Sequence, residues 1–227
     1  MEKITVVGGT GQEGFGLALR WAQAGENVII GSRDPNKASA SAAEVKKMLP
    51  DAAVEGLANA EAVAQAAVVV LTVPLVAQIA TLKSIRDQLQ PGTILIDATV
   101  PLEKAIGGRL SRVMQLWDGS AAEQTARYAG KQVRVAGAFH SLSAEALRDL
   151  ENPVDSDVLI TGDSREARAA VSALVAKISG ARPVDLGPLE NSRYAEQLAA
   201  LLITLNLRHR VSRSGIRFTG IPDARDG

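Results

Sequence analysis

The chain has 227 residues, enough to bury a sizeable core as one domain or one and a half. Its 25 lysines and arginines balance its 25 aspartates and glutamates, so no general field draws it to nucleic acid or to acidic membranes. With no cysteine and two histidines, disulfides, thiolate catalysis and cysteine metal sites are excluded, and no metal site is expected.

In chain order, the apolar run Ile4-Thr5-Val6-Val7 leads into Gly8-Gly9-Thr10-Gly11-Gln12-Glu13-Gly14, and a helical pattern follows over residues 12–23. Strand, glycine turn and helix are the setting in which Gly9, Gly11 and Gly14 read as a dinucleotide-binding turn. One glycine makes the turn, one lets backbone N–H groups approach a pyrophosphate, and one allows close helix–strand packing. The helix N-terminus adds free N–H donors and a positive dipole end. The second strand covers residues 27–30. A site for NAD usually follows it with an acid for the ribose hydroxyls. Here Gly31-Ser32-Arg33 follows instead, with Lys37 one helical turn on. An acid would repel a 2′-phosphate, whereas Ser32, Arg33 and Lys37 suit one, so the cofactor expected is NADP(H). Asp34-Pro35 reads as the N-cap and first residue of the next helix.

That helix is expected over residues 35–48, followed by a strand at 53–56, a short helix at 59–65 and a strand at 68–71. A helix at 76–89, the turn Pro91-Gly92 and a strand at 93–96 come next. Residues 62–82 are apolar enough to suggest a membrane span, but Gln65, Pro74 and Gln78 interrupt them, and a strand followed by a helix fits better. The alternation predicts an α/β fold with a doubly wound parallel sheet. Residues 98–130 are looser, with turn signals at Gly107-Gly108 and Asp118-Gly119 and a capping box at 120–123 opening a helix to about 128. Then follow a strand at 133–136, a helix at 144–150, a strand at 157–161, a helix at 165–179 and a strand at 182–185. A long apolar helix at 191–210 carries Leu198, Leu201, Leu202, Leu205 and Leu207, which predicts packing against the rest of the chain or a partner subunit. Residues 215–218 look like a docked segment and 222–227 like a loose end. No basic segment followed by an apolar one opens the chain, so the expected location is the cytoplasm.

The carboxyl ends of the strands should face the nicotinamide. Those ends are Thr72-Val73-Pro74, Asp97 with its neighbours to Pro101, and Phe139-His140. His140 is the one acid–base candidate, and it reads as a positioning group rather than a proton donor. His209 late in a helix, Asp97 as a strand-end cap and Trp21 in the core read as structural, and Trp117 has no evident role. No Ser-His-Asp set, lysine–tyrosine pair or carboxylate dyad lines the crevice. Hydride exchange between two bound redox cofactors asks mainly for alignment, and that chemistry fits such a crevice.

Gly8-Gly9-Thr10-Gly11, Gly31-Ser32-Arg33 with Lys37, Leu71-Thr72-Val73-Pro74, His140, and residues 187–193 (Gly-Pro-Leu-Glu-Asn-Ser-Arg) occur in one family's order and spacing. With the ending Gly215-Ile216-Arg217-Phe218, the sequence resembles the NADPH-dependent F420 reductases over nearly its whole length. The resemblance implies direct hydride transfer between NADPH and the deazaflavin coenzyme F420. It also implies a Rossmann-type NADP-binding domain over residues 1–140, a small C-terminal α/β domain over 141–227 closing the acceptor site, and a homodimer. By position, the NADP contacts would be Gly9, Thr10, Gly11, Gln12 and Glu13 at the phosphate turn, with Ser32, Arg33 and Lys37 on the 2′-phosphate. Thr72, Val73, Pro74, Leu75, Ile79, Leu102 and Ala144 would lie along the rest of the dinucleotide, and His140 beside the redox centre. The chain departs from the family pattern at Leu75-Val76-Ala77 and at Ser141-Leu142-Ser143, both on the face where the second cofactor stacks. Lys104, Arg109 and Arg112 are candidates for a basic rim that would hold its anionic tail. Two alternatives remain open: an NADPH reductase of another acceptor, imine or flavin-linked ferric, and an NADP-sensing binding protein.

Overall fold

The computed structural model describes residues 2–221; the loose end expected at 222–227 lies outside the described residues. The first half alternates strand and helix as β1 (Ile4–Val7), α1 (Gln12–Gln23), β2 (Val28–Ser32), α2 (Pro35–Met48), β3 (Val54–Ala58), α3 (Asn59–Val63), β4 (Val68–Leu71), α4 (Leu75–Ile85) and β5 (Ile94–Asp97). The second half continues with α5 (Ala121–Ala129), β6 (Arg134–Gly137), α6 (Ala144–Arg148), β7 (Ser156–Gly162), α7 (Arg165–Ala176), β8 (Ala181–Gly187) and α8 (Ser192–His209). The helix expected at 76–89 stops at Ile85 and tightens into a 3-10 turn, Arg86–Gln88, ahead of the Pro91-Gly92 turn.

All strands join one eight-stranded sheet in the order β3-β2-β1-β4-β5-β6-β7-β8. From β3 to β6 the pairing is parallel, with Val6 between Ile30 and Val70. The order reverses between β1 and β4, which opens a crevice at the carboxyl ends of those strands. β7 pairs antiparallel with β6 through Ala136↔Gly162 and Gly137↔Thr161, and parallel with β8. β6 ends and β7 begins on the carboxyl side of the sheet, and residues 138–155 between them carry only the short α6, which packs on α1. A parallel return would need a crossover to the amino end of the sheet.

Side chains alternate across the strands, as a period of two requires. Val6, Val70, Ile96 and Ala136 join α1, α2 and α7 in the core on one face. Val69, Leu71, Leu95 and Val135 join α4 and α5 on the other. Trp21 sits in the first layer with no exposed surface, edge-on to Phe139 at 5.6 Å, and its indole N–H donates to the Leu174 carbonyl. Beside it in α1, Arg20 is buried and donates to the carbonyls of Leu147, Ala146, Asp149 and Asn152. It therefore satisfies two carbonyls that the end of α6 leaves open and two in the chain just after it. The docked segment after α8 is held by Asp157, which accepts from Phe218 N–H and pairs with Arg182 and Arg217. Burial acts to raise the Asp157 pKa, but these donors outweigh it and hold the carboxyl at about 2.

Candidate active site

The glycine turn forms because Gly8, at φ +80°, takes a left-handed conformation that other residues rarely adopt. Gly8 and Gly9 N–H groups both donate to the Gly31 carbonyl at 3.1 Å, which ties the turn to the end of β2. Gly14 is the packing glycine: a β-carbon there would stand 2.4 Å from Thr72 Oγ1 and 2.9 Å from Gly9 Cα. The tight backbone turn thus falls on Gly8, one residue before the motif's first glycine. Gly11 is the N-cap of α1 and no side chain caps the helix. The amides of the first turn are therefore open to an anionic ligand.

On the β2 side of the turn, Ser32 is buried and accepts from Asp34 N–H at 3.2 Å. Asp34 caps α2 by accepting from Asn36 N–H at 3.0 Å, as its place before Pro35 predicts. Arg33 and Lys37 are exposed, and Asp34 is engaged in the cap. The end of β2 and the first turn of α2 thus carry one hydroxyl and two exposed cations.

On the other side of the turn lies a cavity of about 570 Å³. Its walls bring together Gly11, Gln12 and Glu13 from the turn, Thr72, Val73, Pro74 and Leu75 after β4, Leu102, His140 and Ala144. Ile79, one turn along α4, is not in the wall, and neither are Lys104, Arg109 and Arg112. Arg112 pairs with Glu103 at 3.9 Å. The strand ends also contribute Ala98, Thr99 and Val100, and α6 contributes Glu145. The far wall belongs to α8 and the chain after it, through Ala199, Leu202, Ile203, Asn206, Ser212 and Ser214. That wall was missed from sequence. Its signal was the spacing of Ala199, Leu202, Ile203 and Asn206 on one helical face.

His140 sits in this wall, 7% exposed, with neither ring nitrogen hydrogen-bonded. Burial lowers its pKa to about 4, so the imidazole is neutral at ordinary pH. Phe139, just before it, is buried at φ +72°, an unusual conformation for a bulky residue. The Phe139 carbonyl accepts from Leu142 N–H, closing a tight turn that fixes His140 in place. Backbone strain of this kind persists where the surroundings over-determine it, often at functional sites. Here Trp21 packs against Phe139.

Beneath the cavity, Asp97 has no exposed surface and is a hub rather than a simple cap. It accepts from Thr99 N–H at 2.7 Å, from Gln78 Nε2 at 2.7 Å and from the Thr125 hydroxyl. Burial raises its pKa to about 6 against these bonds. Gln78 also donates to the Ala121 carbonyl, and Glu196 of α8 accepts from Ala121 and Ala122 N–H. This network ties β5, α4, α5 and α8 into one frame. His209 and Trp117 are exposed, Trp117 at 96%.

A doubly wound sheet, an uncapped helix N-terminus behind a glycine turn, exposed cations after β2 and a cavity at the strand ends are the features of a Rossmann-type nicotinamide oxidoreductase. The comparisons with known proteins specify it further. Residues 3–101 match the family model described as NADP oxidoreductase, coenzyme F420-dependent. The chain is 52% identical over 224 residues to the F420-dependent NADP reductase of Methanothermobacter thermautotrophicus, covering 97% of this chain and 96% of that one. It is 39% identical to the enzyme of that name from Methanocaldococcus jannaschii, covering 96% and 99%. A solved structure from Arthrobacter sp. fb24 superposes with a TM-score of 0.81 at 27% identity, covering 96% of this chain and 100% of that one. The chain belongs to the F420-dependent NADP reductase family.

Proposed function

We propose that this chain transfers a hydride between NADP(H) and the deazaflavin coenzyme F420, directly from one cofactor to the other. Family membership supplies the pair of cofactors. The observation that carries the direct mechanism is the cavity. It adjoins the dinucleotide turn, has space beyond it bounded by α8, and sets a neutral histidine and the carboxyls of Glu13 and Glu145 in a wall otherwise of apolar, amide and hydroxyl-bearing residues, with no lysine or arginine among the lining residues.

The residues present fit NADP: the amides of α1 are uncapped, and buried polar atoms in the cavity wall lack partners. When bound, the nicotinamide supplies the hydride chemistry, and the protein supplies binding and alignment. Gly9, Thr10, Gly11, Gln12 and Glu13 cradle the pyrophosphate, and Ser32, Arg33 and Lys37 hold the 2′-phosphate. Thr72, Val73, Pro74, Leu75, Leu102 and Ala144 line the path of the dinucleotide, with Ile79 behind them. His140 offers a hydrogen bond without a charge and so positions a ring rather than titrating. Residues 1–140 act as the NADP-binding unit, and residues 141–227 close the acceptor side.

The reading includes a homodimer in the cytoplasm. Tyr194, Leu201 and Leu205 share one face of α8, at 59%, 49% and 36% exposure. An apolar stripe of this kind on a helix is the usual mark of a partner surface. No helix among the described residues is long and apolar enough to cross a membrane. Replacing Leu201 and Leu205 with Lys should give monomers by sedimentation, and an unchanged mass would remove this face from the interface.

The direct test of function is NADPH oxidation by the purified protein with and without F420, followed by the deazaflavin absorbance. Bleaching that needs protein, NADPH and F420 together is the expected result. NADPH binding with an untouched deazaflavin would overturn the assignment and direct a search to flavins, ferric chelates and imines.

A further inference from the structure

Glu13 is an unusual residue for its place. It is the second residue of α1, beside the amides that receive a pyrophosphate, and one oxygen of its carboxyl is buried without a hydrogen-bond partner. The same side chain lines the 570 Å³ cavity. Arg33 and Lys37 fix the 2′-phosphate end of the groove beyond the other side of the turn, so the nicotinamide end must enter this cavity.

The groups around Glu13 are all neutral or acidic. From β5 comes Asp97, whose charge acts on Glu13 directly. From the turn after β6 comes His140, neutral above about pH 4. From α6 comes Glu145, which accepts from the Ser212 hydroxyl. α8 sends Glu196 to the Asp97 network, and the loop after β4 sends only Thr72, Val73, Pro74 and Leu75. No lysine or arginine lines the cavity among the described residues. Burial first, and Asp97 second, push the Glu13 pKa up to about 8. A cavity without cations, holding an unsatisfied carboxyl, is suited to a ring that gains positive charge.

We propose that Glu13 is the proton-linked counter-charge of the bound nicotinamide: it is protonated while the cofactor is reduced and ionised while the cofactor is oxidised. The inference rests on the NADP reading of this site. NADPH gives up a hydride, with both electrons, and its ring becomes a cation. The Glu13 O–H bond breaks with its electron pair left on oxygen, so the cation gains a carboxylate neighbour. The deazaflavin takes the hydride and one proton to become its neutral reduced form, and the proton Glu13 releases to the cavity equals the one consumed. The net charge of the site is the same before and after. Glu13 regains its proton when NADP⁺ leaves.

The test needs neither F420 nor turnover. Binding of NADP⁺ and of NADPH is measured by calorimetry between pH 6 and 8, in buffers of different ionisation enthalpy. The phosphates act alike in both cofactors, so the difference between them isolates the ring. The expected result is release of about one more proton on binding NADP⁺ than NADPH near pH 7, with the affinity ratio moving toward NADP⁺ by up to about tenfold per pH unit. Glu13→Gln should abolish both differences. Equal proton counts for the two cofactors, or a difference that persists in E13Q, would overturn the proposal. If E13Q does not fold, the proton counts of the unmodified protein decide alone. If neither cofactor binds, it is the NADP reading itself that has failed.

Discussion

At the β2 end of the groove, Arg33 and Lys37 stand in solvent beside Ser32, and their contribution comes from charge and hydrogen bonds in water. At the cavity end, His140 and one Glu13 carboxyl oxygen are buried without partners, and Asp97 lies beneath them with no exposure. In the proposed function, the first end recognises an anion that stays the same throughout the reaction, and the second surrounds a ring whose charge changes. Water screens the first, whereas in the second the buried atoms, His140 Nδ1 and Nε2 and one Glu13 oxygen, interact more strongly because solvent does not reach them.

The largest expected effect comes from removing what holds the buried end together. Arg20→Ala leaves four carbonyls in and just after α6 without their donor and should cost about 3 kcal/mol or more in a urea titration. Arg33→Ala, at the exposed end, should change stability by under about 0.5 kcal/mol. Equal losses would erase the contrast between the two ends.

Acid stability should report the buried end next. The folded pKa of His140 lies at about 4, below its ordinary value of 6.5. The stability this burial preserves is therefore complete above pH 6.5 and is lost as pH falls toward 4, on the order of 3 kcal/mol in all. His140→Phe should remove that part of the acid sensitivity; an unchanged profile would mean that the imidazole is hydrated.

Arg33→Ala should weaken NADPH binding about ten- to a hundredfold, from charge-assisted bonds of roughly 1.5–3 kcal/mol, while NADH binding barely moves. Equal losses for both cofactors would take Arg33 off the 2′-phosphate. The smallest effect is expected for His140→Ala on the hydride step itself, less than about tenfold with both cofactors bound, because alignment carries that step. A fall to background would make His140 part of the chemistry.

The layout of the exposed end, though not its ligand, was readable in the sequence because it is local. Ser32, Arg33 and Lys37 follow one strand within six residues, and Asp34-Pro35 announces the cap that occupies the neighbouring acid. The strands and helices were readable for the same reason, since burial on both faces of a parallel sheet writes runs such as residues 68–71 into the chain. The cavity end draws on the turn, β4, β5, β6, α6 and α8, so its geometry depends on tertiary packing. Asp97 looked like a strand-end cap, and only the approach of Gln78 and Thr125 makes it a hub. Glu13 looked like one residue of a phosphate turn, and only the closing wall buries its carboxyl. Arg20 sits inside an apolar helical pattern, and nothing local shows that α6 ends against it. The antiparallel entry of β7 depends on where residues 138–155 travel, which periodicity does not record.

The central claim is that hydride passes within one cavity from cofactor to cofactor, with no protein group carrying it. NADPH bearing deuterium at the transferred position of C4 should be mixed with F420 and the protein in ordinary water, and the reduced deazaflavin analysed by mass spectrometry. Direct transfer puts the deuterium at C5 of the deazaflavin, with none lost to solvent. Deuterium appearing in water, with an unlabelled reduced deazaflavin, would mean that an exchangeable group intervenes and that the cavity does not bring the two rings together.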